Sequence, residues 1–343
     1  RHPFWTAFRK FLSHLHILSG SVSDIPLERS ISHLLLSVPL PKPGGHNVIV
    51  PLTALNEPMV MSIPPEKDFP VVDLPYHRLV ACLEINTIVM IVLGMLALEK
   101  KVIVMSTRPS LVLDVCELLR SLLFPFDLCA PYVPRLTEPF QSSLDFPGAI
   151  FVGIHDDGSL HGLAATVRTE LPEDSIIVDL ETGEIESDMD RLDVIGSTWD
   201  ILPRSARSDL VKELLALCSD AGINDGQEPL DSQYDSAFEV SLTDAVDEDV
   251  GVEHIEVEKE PLDDRAFRDA FLRFFCRVLG GYERFLVVPD ADFLVSGNEW
   301  FDSQGFLASV RSDRASYLGA LVSTQLFQSF IQRRTEASDV HCL

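Results

Sequence analysis

The residues best suited to chemistry lie where a predicted strand meets a predicted helix. Val102 to Met105 are four consecutive apolar residues, and the turn STRP (106–109) follows them directly. A strand, a turn and a helix in this order open many nucleotide-binding sites, because the first turn of a helix attracts anions. This turn has neither the glycines nor the lysine of a phosphate-binding loop. Two interpretations stay open: an anion site assisted by Arg108, and a solvated turn that joins two pieces of core.

Other candidate sites are weaker. The densest histidine group is His14-x-His16 with His33 nearby, but the predicted helix faces diverge and no zinc-binding helix motif is present, so we expect surface histidines. The G-x-S-x-G elbow of many hydrolases is absent. The acid pairs at 156–157 and 173–174 (with Glu170 before the second) lie in predicted loops, where solvated carboxylates are usual. We therefore expect no cofactor, no metal and no catalytic residues, and a protein that works through its surfaces.

The charge limits the possible partners. The 343 residues carry a formal net charge of −26, which argues against binding nucleic acid or an anionic membrane as the main function. Residues 220–264 contain sixteen acidic residues and one basic residue, Lys259. This segment has few aromatic residues and no periodicity, so we predict a disordered, dispensable insert. A short docking motif around Phe238 to Val240 is the alternative.

Neither a disulfide framework nor a membrane span is predicted. The cysteines are scattered without a CxxC pair, and four of them have helical, apolar flanks (Cys82, Cys116, Cys218, Cys276), which favours buried free thiols in a reducing compartment. The most apolar window, INTIVMIVLGMLAL, has fourteen residues, whereas a membrane span needs roughly 20. We expect a buried helix there and a cytoplasmic location. The chain begins inside a helical pattern, WTAFRKFLSHL, without a signal peptide, which suggests a fragment of a longer protein.

Helices alternate with short apolar strands, which indicates an α/β fold. We predict strands at 48–50, 102–105, 149–154 and 176–180, the last three in one largely parallel sheet covered by helices on both faces. The predicted helices cover 4–18, 27–36, 75–98, 109–122, 204–218, 267–278, 302–310 and 314–334. The helix over 75–98 should bend near Asn86-Thr87, and the proline-rich segment 56–75 is predicted to be a linker.

Several ordered blocks resemble the DENN domain. The central blocks are HRLVACLEINTIVMIVLGMLALEKKVIVMS, LVLDVCELLRSLLFPFD, YVPRL and SSLDFPGAIFVGIH. Upstream, FRKFLSHLHILSG and IPLERSISHLLLSVPLPKPG resemble the tail of that family's upstream module. Downstream, FRDAFLRFFCRVLGGYERFL, FDSQGFLAS and TQLFQSFIQRR resemble its helical module. The resemblance covers nearly the whole chain except the acidic segment.

The resemblance implies a fold and a division of the chain. The fold is an α/β lobe with a central, largely parallel sheet flanked by helices, an all-helical C-terminal cap and a partial longin-like N-terminal lobe. The implied modules are the upstream module over 1–55, a linker over 56–75, the central module over 76–219, the acidic insert over 220–264 and the downstream helical module over 265–336.

The resemblance also implies a function. Known family members are guanine-nucleotide exchange factors for Rab GTPases, which bind the switch regions, disturb the magnesium and nucleotide contacts and promote GDP release without covalent chemistry. A DENN-type scaffold or effector that binds a small GTPase or trafficking partner without exchange activity is the alternative, and a small-molecule α/β enzyme is the third. Membrane traffic implies recruitment to membranes through partners.

Candidate contact residues follow from the expected sheet. Ligands and partners of open α/β sheets favour the loops beyond the carboxyl ends of the strands and the crevices between domains. The residues that we expect there, as contacts for a Rab GTPase, are Asp73, Tyr76, Thr107, Arg108, Tyr132 and Asp145. The alternative is that the two tyrosines are packed in the core and the others are solvated.

Overall fold

The computed structural model describes residues 4–20, 26–55, 58–65, 68–72, 74–170, 172–187, 200–223, 262–287 and 300–339. The described residues form two compact units, one ending at Pro75 and the other starting at Tyr76. Most of the acidic segment 220–264 lies outside the described residues, and so does Asp73.

The first unit contains two helices and a small antiparallel sheet. Its elements are α1 (Phe4–Gly20), α2 (Leu27–Ser32), a π-helical turn (His33–Ser37), β1 (Val48–Val50) and β2 (Met59–Met61). Apolar residues at helical spacing place one face of α1 in a core that includes Phe11, Val50 and Met59. The strand β1 is confirmed. β2 was not predicted, because it lies between prolines in a segment that we interpreted as a linker.

The second unit is built around a five-stranded sheet of order β4-β5-β3-β6-β7. The strands are β3 (Lys101–Ser106), β4 (Tyr132–Leu136), β5 (Phe151–His155), β6 (Ser175–Asp179) and β7 (Ile185–Ser187). β4, β5, β3 and β6 are parallel to their neighbours, and β7 returns antiparallel to β6. The prediction that three apolar runs share one largely parallel sheet is confirmed.

Helices cover both faces of this sheet. Alternate residues of a strand point to opposite faces, so Val152 and Gly153 of β5 face different sides of the sheet. Val152 packs with Leu163 and Val167 of α6 (Leu163–Thr169). A Cβ atom on Gly153 would instead lie 2.5 Å from Val112 of α5 (Pro109–Ser121), on the opposite face. All six residues of β3 are buried, which explains why its sequence shows no alternation.

The remaining helices of the second unit are α3 (His77–Cys82), α4 (Ile85–Ala97), α5 (Pro109–Ser121), α7 (Arg204–Asp220), α8 (Asp264–Val278), α9 (Ser303–Ser309), α10 (Ser312–Ser323) and α11 (Gln325–Asp339), with 3-10 segments at Glu138–Asp145 and Tyr282–Phe285. The expected bend near Asn86-Thr87 is a break three residues earlier. Leu83 is extended and fully buried, so the chain leaves the helix to place this side chain in the core.

Aromatic contacts join the C-terminal helices to the central part of this unit. The predicted apolar face of α8, which includes Phe267, Phe271 and Phe275, is buried. The rings of Phe126 and Phe275 have centroids 5.4 Å apart, and Phe126 lies 4.9 Å from Phe330 of α11. The helical C-terminal part is therefore packed on the sheet-bearing part through aromatic side chains.

The helix predicted over 314–334 is two helices, α10 and α11. Thr324 between them has extended backbone angles, and its Oγ1 accepts a hydrogen bond from the Phe327 amide at 3.2 Å. A threonine side chain that accepts from an amide three residues later is an N-cap. The local signal for this break is the Ser-Thr pair before Gln325, which lies inside the helix predicted over 314–334.

The edge strand β4 was also missed, because Pro134 lies within it. Proline is compatible with an edge strand, where its missing N–H leaves no partner unsatisfied. The pairing of β4 with β5 is irregular between Val133 and Leu136. At this point the Pro134 carbonyl oxygen comes so near β5 that a Cβ on Gly153 would lie 2.2 Å from it. Only glycine therefore fits at position 153.

Two smaller predictions concern burial. α4 is buried along most of its length, as expected, and among the described helices none is both long and apolar enough to cross a membrane. Cys82, Cys116 and Cys218 are buried free thiols, as predicted, whereas Cys276 is exposed. Cys276 lies on α8 but outside its buried face, so apolar neighbours in sequence did not indicate its position on the helix.

Candidate functional site

The carboxyl ends of β3, β5 and β6 bring polar residues together at one edge of the sheet, which we call the carboxyl edge. Ser106, His155 and Asp179 are the last residues of these three strands. Because parallel strands end on the same side, the residues that follow also meet there. Thr107 and Arg108 are among them, as the sequence predicts.

Glu181, just after β6, is the acceptor at the centre of this edge. Its Oε1 accepts hydrogen bonds from Ser106 Oγ (2.7 Å), from the Thr107 amide (3.0 Å) and from Thr107 Oγ1 (2.8 Å). Ser106 Oγ in turn accepts from the Arg108 amide at 3.0 Å. A carboxylate of the protein therefore fixes the turn that precedes α5.

An arginine joins the other two strand ends. Arg168 of α6 donates to Asp179 Oδ2 at 2.8 Å and also to Asp156, which follows β5. Asp156 Oδ1 accepts from the Gly158 amide, and Asp179 Oδ1 from the Glu181 amide at 2.9 Å. The prediction that the pair Asp156-Asp157 is solvated is wrong for Asp156, because Arg168 neutralises it.

These contacts favour the ionised forms of Glu181, Asp156 and Arg168. Burial pushes the pKa of Glu181 upward, but the hydrogen bonds from Ser106 and Thr107 and the charge of Arg108 leave this pKa below its usual value. The pKa of Asp156 is also lowered, because its hydrogen bonds and the Arg168 charge outweigh burial. Asp156 and Asp179 raise the pKa of Arg168 against the effect of its own desolvation.

The arrangement answers the question of a phosphate site in this turn. Glu181 already binds the Thr107 amide, and Ser106 Oγ binds the Arg108 amide, so the two amides of this turn have protein acceptors instead of an anion. Ser106 is fully buried and donates a hydroxyl hydrogen bond to Glu181, and His155 Nε2 lies 3.1 Å from the Thr107 carbonyl oxygen. This geometry suits a fixed, charged surface for a partner.

The histidine cluster shows no metal geometry. His14 is buried, its Nδ1 accepts from the Ala54 amide at 3.3 Å, and burial lowers its pKa. The expectation that all three histidines lie on the surface is therefore wrong for His14, whereas His16 and His33 are exposed. Among the described residues, no three His, Cys, Asp or Glu side chains are grouped closely enough to hold a metal ion.

Tyr76 belongs to the core of its unit. Its side chain is 1% exposed, its ring stacks on Phe267 at 5.2 Å, and its hydroxyl lies 2.5 Å from Ser121 Oγ. Its amide donates to Asp264 at 3.0 Å. Tyr76 is thus packed in the core, as the alternative interpretation states. A partner would contact the residues around Tyr76 and not its side chain.

Tyr132 and Asp145 lie at the opposite side of the sheet, which we call the amino edge. Tyr132 starts β4, and Asp145 ends the 3-10 segment before β5. They therefore precede strands instead of following them. The Tyr132 hydroxyl donates to Glu117 at 3.0 Å, the Arg120 guanidinium lies 4.7 Å from its ring centroid, and burial raises its pKa.

Sequence reasoning missed most of the carboxyl-edge network. Asp179, Glu181, His155 and Arg168 had no assigned role. His155 and Asp179 are the last residues of apolar strands, and Asp156 and Glu181 follow such strands within two residues. This position was the signal that the sequence offered. Arg168 lies on α6, a helix that was not predicted, so its distance from these carboxylates could not be inferred.

Comparisons with known proteins agree with this architecture. The family model described as "DENN (AEX-3) domain" matches residues 1–183, and the model described as "dDENN domain" matches residues 301–342. The chain is also 22% identical, over 98% of its length, to the DENN domain and WD repeat-containing protein SCD1 of Arabidopsis thaliana. It spans about a quarter of the length of that relative, 25%. The first of these matches covers more than half of the chain, and the chain therefore belongs to the DENN domain family.

Proposed function

We propose that this chain is a guanine-nucleotide exchange factor for a Rab-family GTPase and acts in vesicle traffic. The observation that carries the proposal is the match to both DENN models, because known family members promote GDP release from Rabs. In this proposal the chain binds the switch regions and favours the nucleotide-free GTPase, and it needs no residue that forms or breaks a bond.

The proposal includes the division of the chain into an upstream longin-like module, a central module and a downstream helical module. We also propose that the protein is cytoplasmic and reaches trafficking membranes through its partners. Both statements rest on the resemblance to the family.

The carboxyl edge is the surface that we propose for the GTPase. Thr107 is exposed, and its hydroxyl is held by Glu181. Nearby, Arg168 holds Asp156 and Asp179 in ion pairs. Charged groups that are already fixed lose little entropy when a partner arrives, and they favour specificity and rapid association. Thr107 and Arg108 are the residues of the predicted contact set that this surface presents, whereas Asp73, Tyr76, Tyr132 and Asp145 have no such support.

The test is the release of a fluorescent GDP analogue from a panel of Rabs. We expect the chain to accelerate release from at least one Rab, and Arg108→Glu to reduce this acceleration about tenfold, as reversal of a charge within an interface does. Arg333→Glu is the matched control. Arg333 pairs with Asp127, next to residues of the amino edge, so the same change of charge there should leave the rate within about twofold.

The outcomes separate the two candidate functions. If no Rab in the panel releases nucleotide faster, but one is bound stably, the scaffold or effector function is supported and exchange activity is rejected. If both variants lower the rate equally, the carboxyl edge is not the contact surface. Neither position is buried, so both variants should stay folded at the assay temperature; Arg108→Glu should lower the melting temperature slightly, because it removes a positive charge near Glu181.

A further inference from the structure

The amino edge carries a cleft that the proposed GTPase surface does not use. The loops that lead into β3, β4, β5 and β6, together with the start of α11, enclose a volume of about 730 Å³. Binding clefts commonly range from about 300 to 1,000 Å³. Its apolar lining includes Leu128, Phe146, Ile150 and Leu326. The cleft lies wholly within the second unit.

The charges around this cleft are mainly negative. Its lining contains four carboxylates and two lysines. Glu99 accepts from the Gln325 amide at 2.6 Å, and Asp174 lies 3.8 Å from Lys100. Asp145 and Glu173 are exposed, and within the part of the chain that the structure describes they make no hydrogen bond or ion pair. Two exposed carboxylates at the rim therefore remain available to a cation.

Lys101 provides an independent observation at the same cleft. This first residue of β3 lines the cleft and is 7% exposed. Its ammonium group has no hydrogen bond and no ion pair to any residue between 4 and 339 that the structure describes. The apolar stem of Lys101 is buried while its ammonium faces the cleft without an acceptor among the described residues, so a bound group that supplies a carbonyl oxygen could accept from it.

We propose that this cleft binds a basic peptide segment of a partner protein. Basic side chains of the segment would pair with Asp145 and Glu173, and its apolar side chains would contact Phe146 and its neighbours. A main-chain carbonyl oxygen would accept from Lys101. A free anion would satisfy Lys101 but would be repelled by the four carboxylates, whereas a peptide with basic side chains and a carbonyl acceptor satisfies both.

The probe is a fluorescein-labelled decapeptide of alternating leucine and lysine, acetylated and amidated at its ends. Fluorescence anisotropy at about 0.1 M salt measures its binding, since surface charges farther apart than about 10 Å are then screened. A decapeptide of alternating leucine and glutamate is the control for charge. We expect the lysine peptide to bind and the glutamate peptide not to bind.

Two variants test the two observations separately. The double variant Asp145→Asn, Glu173→Gln should weaken binding about fivefold, because each exposed ion pair contributes roughly twofold or more. Lys101→Met keeps the apolar stem and removes the donor, and it should weaken binding about tenfold, as expected for a hydrogen bond from a charged group.

A matched control excludes a general effect of the negative charge of the protein. Asp209→Asn, Asp220→Asn removes two exposed carboxylates from α7, outside the cleft, and should leave binding within about twofold of wild type. The proposal is overturned if this control weakens binding as much as the rim variant, if the rim variant binds like wild type, or if the glutamate peptide binds instead. Should Lys101→Met lower the melting temperature, the rim variant still decides.

Discussion

The two edges of the sheet differ in how many of their charged groups have a protein partner. At the carboxyl edge, Glu181, Asp156 and Asp179 are each bound by an amide, a hydroxyl or Arg168. At the amino edge, Glu99 binds the Gln325 amide and Asp174 pairs with Lys100. The side chains of Asp145, Glu173 and Lys101, however, have no partner among the described residues. The carboxyl edge is therefore built to keep its shape, whereas part of the amino edge presents to a cleft charges that have no partner in the described part of the chain.

The difference follows from which elements supply the groups. At the carboxyl edge, acceptors and donors come from neighbouring strands, whose spacing is fixed by the sheet at about 4.8 Å. At the amino edge, Asp145 comes from the 3-10 segment before β5, Glu173 from the loop before β6 and Lys101 from the first position of β3, and their side chains do not reach one another. One sheet can thus present charges that are bound to one another at one edge and, at the other, charges without partners among the described residues.

The largest effect should come from Gly153, in the strand that both edges share. We expect Gly153→Ala to destabilise the protein by about 3 kcal/mol, since its Cβ would lie 2.2 Å from the Pro134 carbonyl oxygen and 2.5 Å from Val112. Urea unfolding measures the change. Gly319→Ala is the control: α10 leaves open space there, and the change should stabilise by about 0.5–1 kcal/mol. Equal effects at both positions would contradict the close approach of β4 and β5.

Removing the central acceptor of the carboxyl edge should have the next largest effect. Glu181→Ala leaves the buried Ser106 hydroxyl and the Thr107 amide without their acceptor, so we expect a loss of about 1–2 kcal/mol. Glu181→Gln retains an acceptor oxygen and should lose less. Both values come from urea unfolding at neutral pH. If alanine and glutamine cost the same, the hydrogen bonds do not hold this edge.

The pH dependence of stability tests whether Glu181 and Asp156 stabilise the fold as ionised carboxylates. Their folded-state pKa values are lowered below those of the unfolded chain, which are about 4.3 for Glu and 3.9 for Asp. Their stabilisation is therefore complete above those values and is lost as the pH falls through the folded-state values. We expect the difference between wild type and Glu181→Gln to be present at pH 7 and to shrink at pH 3. A difference that stays constant across this range would argue against ionised Glu181 as its source.

The smallest effect should be at the amino edge. Asp145→Asn, Glu173→Gln should leave the melting temperature within about 2 °C of wild type, because neither carboxylate has a partner to lose among the described residues. Differential scanning fluorimetry suffices for this measurement. A clear loss of stability would mean that these carboxylates are structural, and the comparison of the two edges would fail.

The sequence predicted the elements that local pattern determines. Continuous apolar runs identified β3, β5 and β6, and helical spacing identified α5, α7 and α8. It missed β2 and β4, which contain or adjoin prolines, and it joined α10 to α11 across Thr324. For β2 and β4 the pairing with a neighbouring strand decides the structure, whereas the break at Thr324 has a local signal, the N-cap of α11.

The candidate site was predictable only in part, for a related reason. Thr107 and Arg108 follow a recognisable strand, so their place at the carboxyl edge could be inferred. The contacts of Glu181 with Ser106 and Thr107 span 74 or 75 residues and depend on β6 lying next to β3. Tyr132 was assigned to the wrong edge because, with β4 unrecognised, it did not appear to begin a strand. Asp145 precedes β5, which was predicted, so its place at the amino edge could have been inferred.

The close approach at Gly153 has a consequence for comparing sequences. A related chain that carries any larger residue at the aligned position cannot run its edge strand along this path, so it must shift that strand outward or omit it. A single column of an alignment would thus separate family members that share this edge strand from those that do not. The residue type in that column would by itself indicate a different backbone course.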